Sequence, residues 1–242
     1  MQDSDPVDRT RERRMQAFYS AFICQGNLAF DIGANHGDRT ATFLALGARV
    51  VAVEPQPDCL DDLRRKFGER EDVSIIGAAV DSQSGKALLH LSNNDTVSSL
   101  SEEWIAKVKA GGRFDDSEWE RMAEVATVTL DDLIEEHGIP DFIKIDTEGS
   151  ELRALSGLNV LVKALSFEYT PEDIATAVEC VERLDRLGSY LYDISPGETL
   201  VMSVGRFVSK DEIITALRSL SERSGEISGD VYAVLNKEPT NE

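Results

Sequence analysis

The chain has 242 residues, enough for one large α/β domain with a full core, and 41% hydrophobic with 29% charged residues is an ordinary globular composition that excludes disorder as the theme. Its formal net charge of -20 argues against nucleic acid as a partner, because phosphate-backbone affinity needs clustered Lys and Arg, and favours a small-molecule or saccharide substrate. Cys24, Cys59 and Cys180 are odd in number and widely spaced, so neither a disulfide framework nor a zinc site is indicated and a reducing cytoplasm is the expected setting.

Residues 1–27 are expected to form an N-terminal helical extension, and 28–242 a single domain. The basic cluster at 9–14, interrupted by Thr10 and Glu12, reads as a solvated helix start. The apolar segment 17–30 is broken by Gln25, Gly26 and Asn27 and runs into a core strand, so it is read neither as a cleaved signal nor as a membrane span of ~20 residues. Next come a strand at 28–32, a helix at 38–46 ended by Gly47 and a strand at 49–53. A helix at 58–67, with Leu60, Leu63 and Phe67 on one face and Gly68 as its stop, leads to a strand at 73–79. This alternation is that of a mostly parallel sheet covered by helices on both faces.

Strands at 86–91 and 124–128 fall outside the alternation. Between them, 101–124 carries helical patterns around Trp104 and Trp119 and is expected either to pack ordinarily or to form a lid over the carboxyl edge of the sheet. A capping box from Thr129 to Asp132 opens a helix to His137, and a strand at 141–145, a short helix at 151–155 and a strand at 164–167 follow. Thr170 as N-cap and Pro171 at the first position open a helix to Gly188. Closing strands are expected at 190–194, 199–204 and 231–235, with a capping box at 209–212 and a terminal hairpin.

The informative loop lies at the carboxyl end of the first strand, where an open parallel sheet binds its ligand. In Asp31-Ile32-Gly33-Ala34-Asn35-His36-Gly37, every second place from Gly33 tolerates positive φ, so the chain turns sharply. Absent Cβ atoms at Gly33 and Gly37 are expected to let a ligand close in, with helix N–H groups near Asp38 meeting its carboxylate or phosphate. Glu54, before Pro55 at the end of the second strand, stands where ribose hydroxyls are bound. A nicotinamide enzyme would share that acid, but Asp38 stands where the third glycine of its fingerprint belongs.

Five ordered segments resemble the FkbM-type methyltransferases: FDIGANHGDRT at 30–40, VAVEPQPDCL at 51–60, NNDTVSSL at 93–100, VTLDDL at 128–133 and IKIDTEGSELRALSG at 143–157. The resemblance spans 29–169 and implies a class I methyltransferase fold: a Rossmann-like three-layer α/β sandwich with a closing antiparallel strand. It also implies S-adenosylmethionine as donor and hydroxyls of sugars and natural products among the acceptors. By the same resemblance Asp31, Gly33, Ala34, Asn35, Gly37 and Thr40 form the donor loop, and Glu54 with Pro55 holds the ribose. Ala79, Val80 and Asp81 would read the adenine edge, although Asp81 also reads as a plain turn residue.

The strand at 141–145 delivers Asp146, Glu148 and Glu151 to the same sheet edge, with Lys144 on the face of Asp146 as its neutralising partner. Methyl transfer to a hydroxyl is helped by a base or by a bound divalent ion such as magnesium, and Asp146 and Glu148 suit either role, with Glu151 completing a metal set. Asp146 is also expected beside the donor. Against this, Glu148 to Glu151 reads equally as an acidic first turn. His36 and His90 are candidate bases, and His137 a helix C-terminal residue. Three functions stay open: an O-methyltransferase for a sugar, lipid or secondary metabolite, a nicotinamide-dependent oxidoreductase, and a non-catalytic interaction module. A homo-oligomer is compatible with all three.

Overall fold

The computed structural model describes residues 6–221 and 227–236; the outer ends of the expected extension and domain, 1–5 and 237–242, lie outside these. Strands β1 (Leu28–Ile32), β2 (Arg49–Val53) and β3 (Val73–Ile76) alternate with helices α2 (Asp38–Ala45) and α3 (Pro57–Phe67), as the spacing predicts, and α1 (Pro6–Tyr19) precedes them. The chain continues through β4 (Ala79–Val80), β5 (Gly85–Leu91), α4 (Glu102–Ala110), β6 (Arg121–Val128), α5 (Leu130–His137) and β7 (Phe142–Ile145). It ends with α6 (Glu151–Ser156), β8 (Ala164–Tyr169), α7 (Ile174–Leu187), β9 (Tyr190–Pro196), α8 (Lys210–Ser221) and β10 (Gly229–Leu235).

The main sheet has the order β3-β2-β1-β7-β8-β10-β9, parallel except for β10, which runs antiparallel to both its neighbours. This is the expected three-layer α/β sandwich, with a mostly parallel sheet and a closing antiparallel strand. Strand alternation sorts the residues between two layers. Phe30, Ile32, Ile143, Ile145, Leu165 and Phe167 pack with α5, α6, α7 and α8, whereas Ala29, Val50, Phe142 and Tyr232 pack with α1 and α2. Helix α1 and the turn after it join this second core: Phe22 stacks on Phe142 and Tyr232 with ring centroids 5.2 and 5.3 Å apart. Each such buried aromatic stabilises by roughly 1.5–3 kcal/mol. The exposed residues 11–14 are the solvated stretch expected of the basic cluster.

Five expectations change. The helical pattern around Trp119 forms no helix: residues 111–120 are turns and irregular chain leading into β6, which starts at Arg121 and not at 124. The strand at 73–79 breaks at Gly77, because β3 ends on β2 while Ala79 and Val80 pair with Thr127 and Val128 in a second sheet, β4-β6-β5. Residues 199–204 are no strand, since Leu200 is left-handed (φ 55) and Val201 and Val204 face solvent. Strands β9 and β10 do pair antiparallel, yet α8 lies between them, so they form no hairpin. Thr170 does not cap α7, which opens with a 3-10 turn at Pro171–Asp173; its hydroxyl accepts the Trp104 indole N–H instead. The boxes at Thr129 and Ser209 form as expected. Among the described residues no helix is long and apolar enough to cross a membrane.

Candidate functional site

A cavity of about 460 Å³ opens at the carboxyl ends of β1, β2, β7 and β8, the edge predicted for the ligand. Its floor is the loop after β1, where Gly33, Asn35 and Gly37 all take positive φ (76, 47 and 87). The protein's own packing requires both glycines. A Cβ on Gly33 would stand 1.8 Å from the Asp146 carbonyl oxygen, and one on Gly37 would stand 2.6 Å from Phe67 and 2.8 Å from Leu63. Asp31 and Thr40 are buried beneath this floor, Thr40 donating to the Asp31 carboxylate at 2.6 Å. Burial raises the Asp31 pKa against the pull of Thr40. Both therefore hold the loop, while Gly33, Ala34 and Asn35 line the cavity.

Glu54 and Pro55 form the next wall. The Glu54 carboxylate is 2% exposed and accepts the amides of Asn35 and Gln56, each at 2.8 Å. Burial nevertheless pushes its pKa up to about 7. Ala79 and Val80 reach the cavity; Asp81 does not. Its carboxylate accepts from Arg153, at 2.9 Å from Nε and closer from Nη2, and its amide donates to Val128, so the turn reading of Asp81 replaces the adenine one.

The opposite wall is acidic. Asp146, Glu148 and Glu168 line it, with carboxylate oxygens all within 4.8 Å of one another. Lys144, 1% exposed, sits behind them and donates to Asp146 at 3.0 Å and to Asp230 at 2.9 Å, the neutralising role expected of it. Glu151 leaves the expected set: its carboxylate turns inward to accept the amides of Thr147 and Gly149 and the Thr147 hydroxyl, fastening the turn. Glu168, which sequence reasoning missed, takes its place. The available signal was alternation, since Ser166 and Glu168 share the strand face of Lys144 and Asp146, one residue beyond the expected strand end.

Burial, reinforced by Asp146, lifts the Glu148 pKa well above the carboxylate range, and burial with Glu148 does the same to Glu168. Glu148 itself is left-handed (φ 52). It is held so by the Ser99 hydroxyl, which donates to its carbonyl at 2.5 Å, and by Trp104, whose ring fills the side of the neighbouring Gly149.

His36 lines the cavity but is not placed as a base. Its Nδ1 lies 2.9 Å from Asp62 and its Nε2 2.7 Å from Asp95, so both nitrogens are engaged, and the Asp95 hydrogen bond leads in raising its pKa. The imidazole instead ties α3 and the 3-10 turn at Asp95–Val97 to the glycine loop. The Asp95 carbonyl also accepts from Asn35 at 3.2 Å and Gln56 at 2.8 Å. Cys59 lies within reach of His36 and Asp95, and burial pushes its thiol up to about 12. His90 stands outside the lining beside Glu102. Trp104 and Trp119 also stand outside it: the first is buried against Gly149, and the second donates to the Val97 carbonyl at 2.7 Å.

The family model described as the methyltransferase FkbM domain matches residues 31–194. Among curated proteins none matches the chain. Similar solved structures include the precorrin-6y C5,15-methyltransferase of Geobacter metallireducens GS-15, 12% identical over 95% of this chain and 88% of that one, with a TM-score of 0.49. An rRNA methylase of Streptococcus thermophilus is 10% identical over 97% and 99%, with a TM-score of 0.49. A TehB-like SAM-dependent methyltransferase of Corynebacterium glutamicum is 11% identical over 92% and 88%, with a TM-score of 0.47.

Proposed function

The chain belongs to the FkbM methyltransferase family, and from that premise we propose that its S-adenosylmethionine-dependent transfer ends on a hydroxyl oxygen of a sugar, lipid or secondary metabolite. The observation that carries the choice of oxygen is the wall of Asp146, Glu148 and Glu168 facing the glycine loop across one cavity. Carboxylates accept protons, and an aliphatic hydroxyl, a weak nucleophile while protonated, gains from giving one up as it attacks.

The residues fit a nucleoside donor. The left-handed loop gives the floor, the apolar Ala79 and Val80 a wall, and Glu54 a buried carboxylate for ribose hydroxyls. When bound, S-adenosylmethionine supplies a methyl carbon on a positively charged sulfur. Asp146 and its neighbours hold the acceptor oxygen behind that carbon, and positioning of this kind supplies much of the acceleration. As the O–C bond forms and the C–S bond breaks with its electron pair left on sulfur, the hydroxyl proton passes to a carboxylate of the acidic wall. Burial raises the proton affinity of Glu148 and Glu168, the direction that step needs. The net charge of -20 speaks for a small acceptor over RNA.

The test is a panel of hydroxylated acceptors incubated with the protein and S-adenosylmethionine, with each product weighed for one added methyl and the methylated atom located by NMR. Products methylated on carbon or nitrogen alone would overturn the oxygen assignment.

A further inference from the structure

Among the described residues Arg11 and Arg39 are the only lysine or arginine side chains that line the cavity, in a chain whose net charge is -20. One carboxylate joins them. Glu198, which lines the cavity too, sets its Oε1 2.6 Å from Arg39 Nη2 and its Oε2 3.6 Å from Arg11 Nη2. Arg11 has a second partner, the Asp38 carboxylate at 2.6 Å. Arg39 has no other carboxylate among the described residues: its Nη1 meets the Met15 sulfur at 3.6 Å and its Nε has no hydrogen-bond partner. A buried guanidinium needs an anion. The Arg39 side chain is 14% exposed, yet the anion it holds is a side chain 61% exposed, on the turn between Gly197 and Gly205. The backbone of that turn is tied down separately, where Arg14 donates to the Thr199 carbonyl at 2.7 Å. Rotation of its side chain alone therefore releases Glu198 to solvent.

We propose that Glu198 is a removable plug: in the free protein its carboxylate occupies a subsite on Arg39 and Arg11 that the amino-acid carboxylate of the donor takes over on binding, so that the protein competes with its own ligand. The proposal rests on the donor reading of the cavity. Charge matching supports it. The adenosine end of the donor is matched by Ala79, Val80 and Glu54, which offer no positive charge, whereas its one carboxylate, at the other end of the molecule, needs a cation, and the lining supplies only these two arginines. Arg39 is the second residue of α2, which opens at Gly37 with no side chain capping its first amides, so the positive end of the helix adds to the guanidinium. The exchange is also cheap. An ion pair with an exposed acid is weak, and the released Glu198 is hydrated again. The incoming carboxylate is tethered to a nucleoside already anchored on the floor, which raises its effective concentration over that of a free anion. Arg39 then keeps one carboxylate before and after binding.

The experiment compares two probes by calorimetry on the full chain: S-adenosylhomocysteine, which carries the amino-acid end, and 5′-methylthioadenosine, which keeps the nucleoside and sulfur but lacks it. We expect Arg39→Gln to weaken S-adenosylhomocysteine by about tenfold or more and Glu198→Gln to tighten it by roughly threefold, with methylthioadenosine held within about twofold in both. An unchanged S-adenosylhomocysteine affinity in Arg39→Gln folded by circular dichroism would overturn the subsite. So would a Glu198→Gln protein that binds S-adenosylhomocysteine no more tightly than wild type, or equal changes for methylthioadenosine, which has no carboxylate to gain or lose. If Arg39→Gln is unfolded, Glu198→Gln, an exposed substitution, decides by the same criterion. Wild-type protein that binds neither probe would sink the donor reading and the subsite with it, whereas binding of both with no response to either substitution sinks the plug alone.

Discussion

The carbonyl oxygen of Asp146 fills the space in which a Cβ on Gly33 would stand, 1.8 Å from that position. The glycine loop and the acidic wall are thus one packed unit: what fixes the turn after β1 also fixes the end of β7. Gly33→Ala would have to adopt a left-handed conformation and push a backbone carbonyl aside. The expected loss is roughly 3 kcal/mol or more of stability together with S-adenosylhomocysteine binding. Chemical denaturation and calorimetry measure both, and an unchanged affinity would show that the two walls are independent.

Asp146→Asn keeps the shape of the wall and removes one charge, while Lys144 retains Asp230. Turnover is expected to drop by about a hundred- to ten-thousandfold with donor affinity largely kept. Single-turnover methyl transfer under saturating donor is the measurement. An unchanged rate removes Asp146 from the chemistry.

His36 serves as a strap in the structure, tying Asp62 and Asp95 together across the glycine loop. His36→Gln is therefore expected to raise KM for S-adenosylmethionine severalfold and to leave kcat within about threefold. The opposite split, a collapsed kcat at constant donor KM, would restore the imidazole as a base.

Glu54 carries a pH signature. Burial raises its folded pKa from 4.5 to about 7, so the folded state holds the proton more tightly than the unfolded chain. Its contribution is fully present below the unfolded value and is lost as pH rises through the folded one. The protein is expected to be less stable at pH 8 than at pH 5, with up to about 3 kcal/mol of the difference from Glu54. Glu54→Gln should flatten that part of the curve and leave the part due to Glu151, whose pKa burial likewise raises to about 7. Parallel melting curves for the two proteins across this range would refute the assignment.

Trp104 fills the side of Gly149 that a Cβ would occupy, and so backs the turn that aims Glu148. Trp104→Ala is expected to cost about 3–5 kcal/mol of stability and to lower methyl transfer while sparing the donor. Within 101–124, Trp104 therefore supports the acidic wall from behind, and 121–124 belong to β6. A variant with full activity would disconnect Trp104 from the Glu148 turn.

Much of this was legible in the chain because it is local. The alternation of elements, the capping boxes at Thr129 and Ser209, the left-handed turn through Gly33, Asn35 and Gly37, and the pairing of Lys144 with Asp146 all follow from neighbours a few residues apart. What failed was the assignment of side chains whose partners lie far away in sequence. His36 and Asp81 look free until Asp95 and Arg153 arrive to occupy them. Glu151 and Glu168 show the same division. As the acid that opens α6, Glu151 satisfies itself on the amides of its own turn. Glu168 reaches the site only because β8 pairs with β7 in the register that sets Phe167 beside Ile145 and carries the next residue of each strand, Asp146 and Glu168, to one edge. The sequence by itself determined the layered fold and the left-handed turn that floors the cavity. Which carboxylates face the cavity was decided by strand register, a long-range pairing that no local pattern encodes.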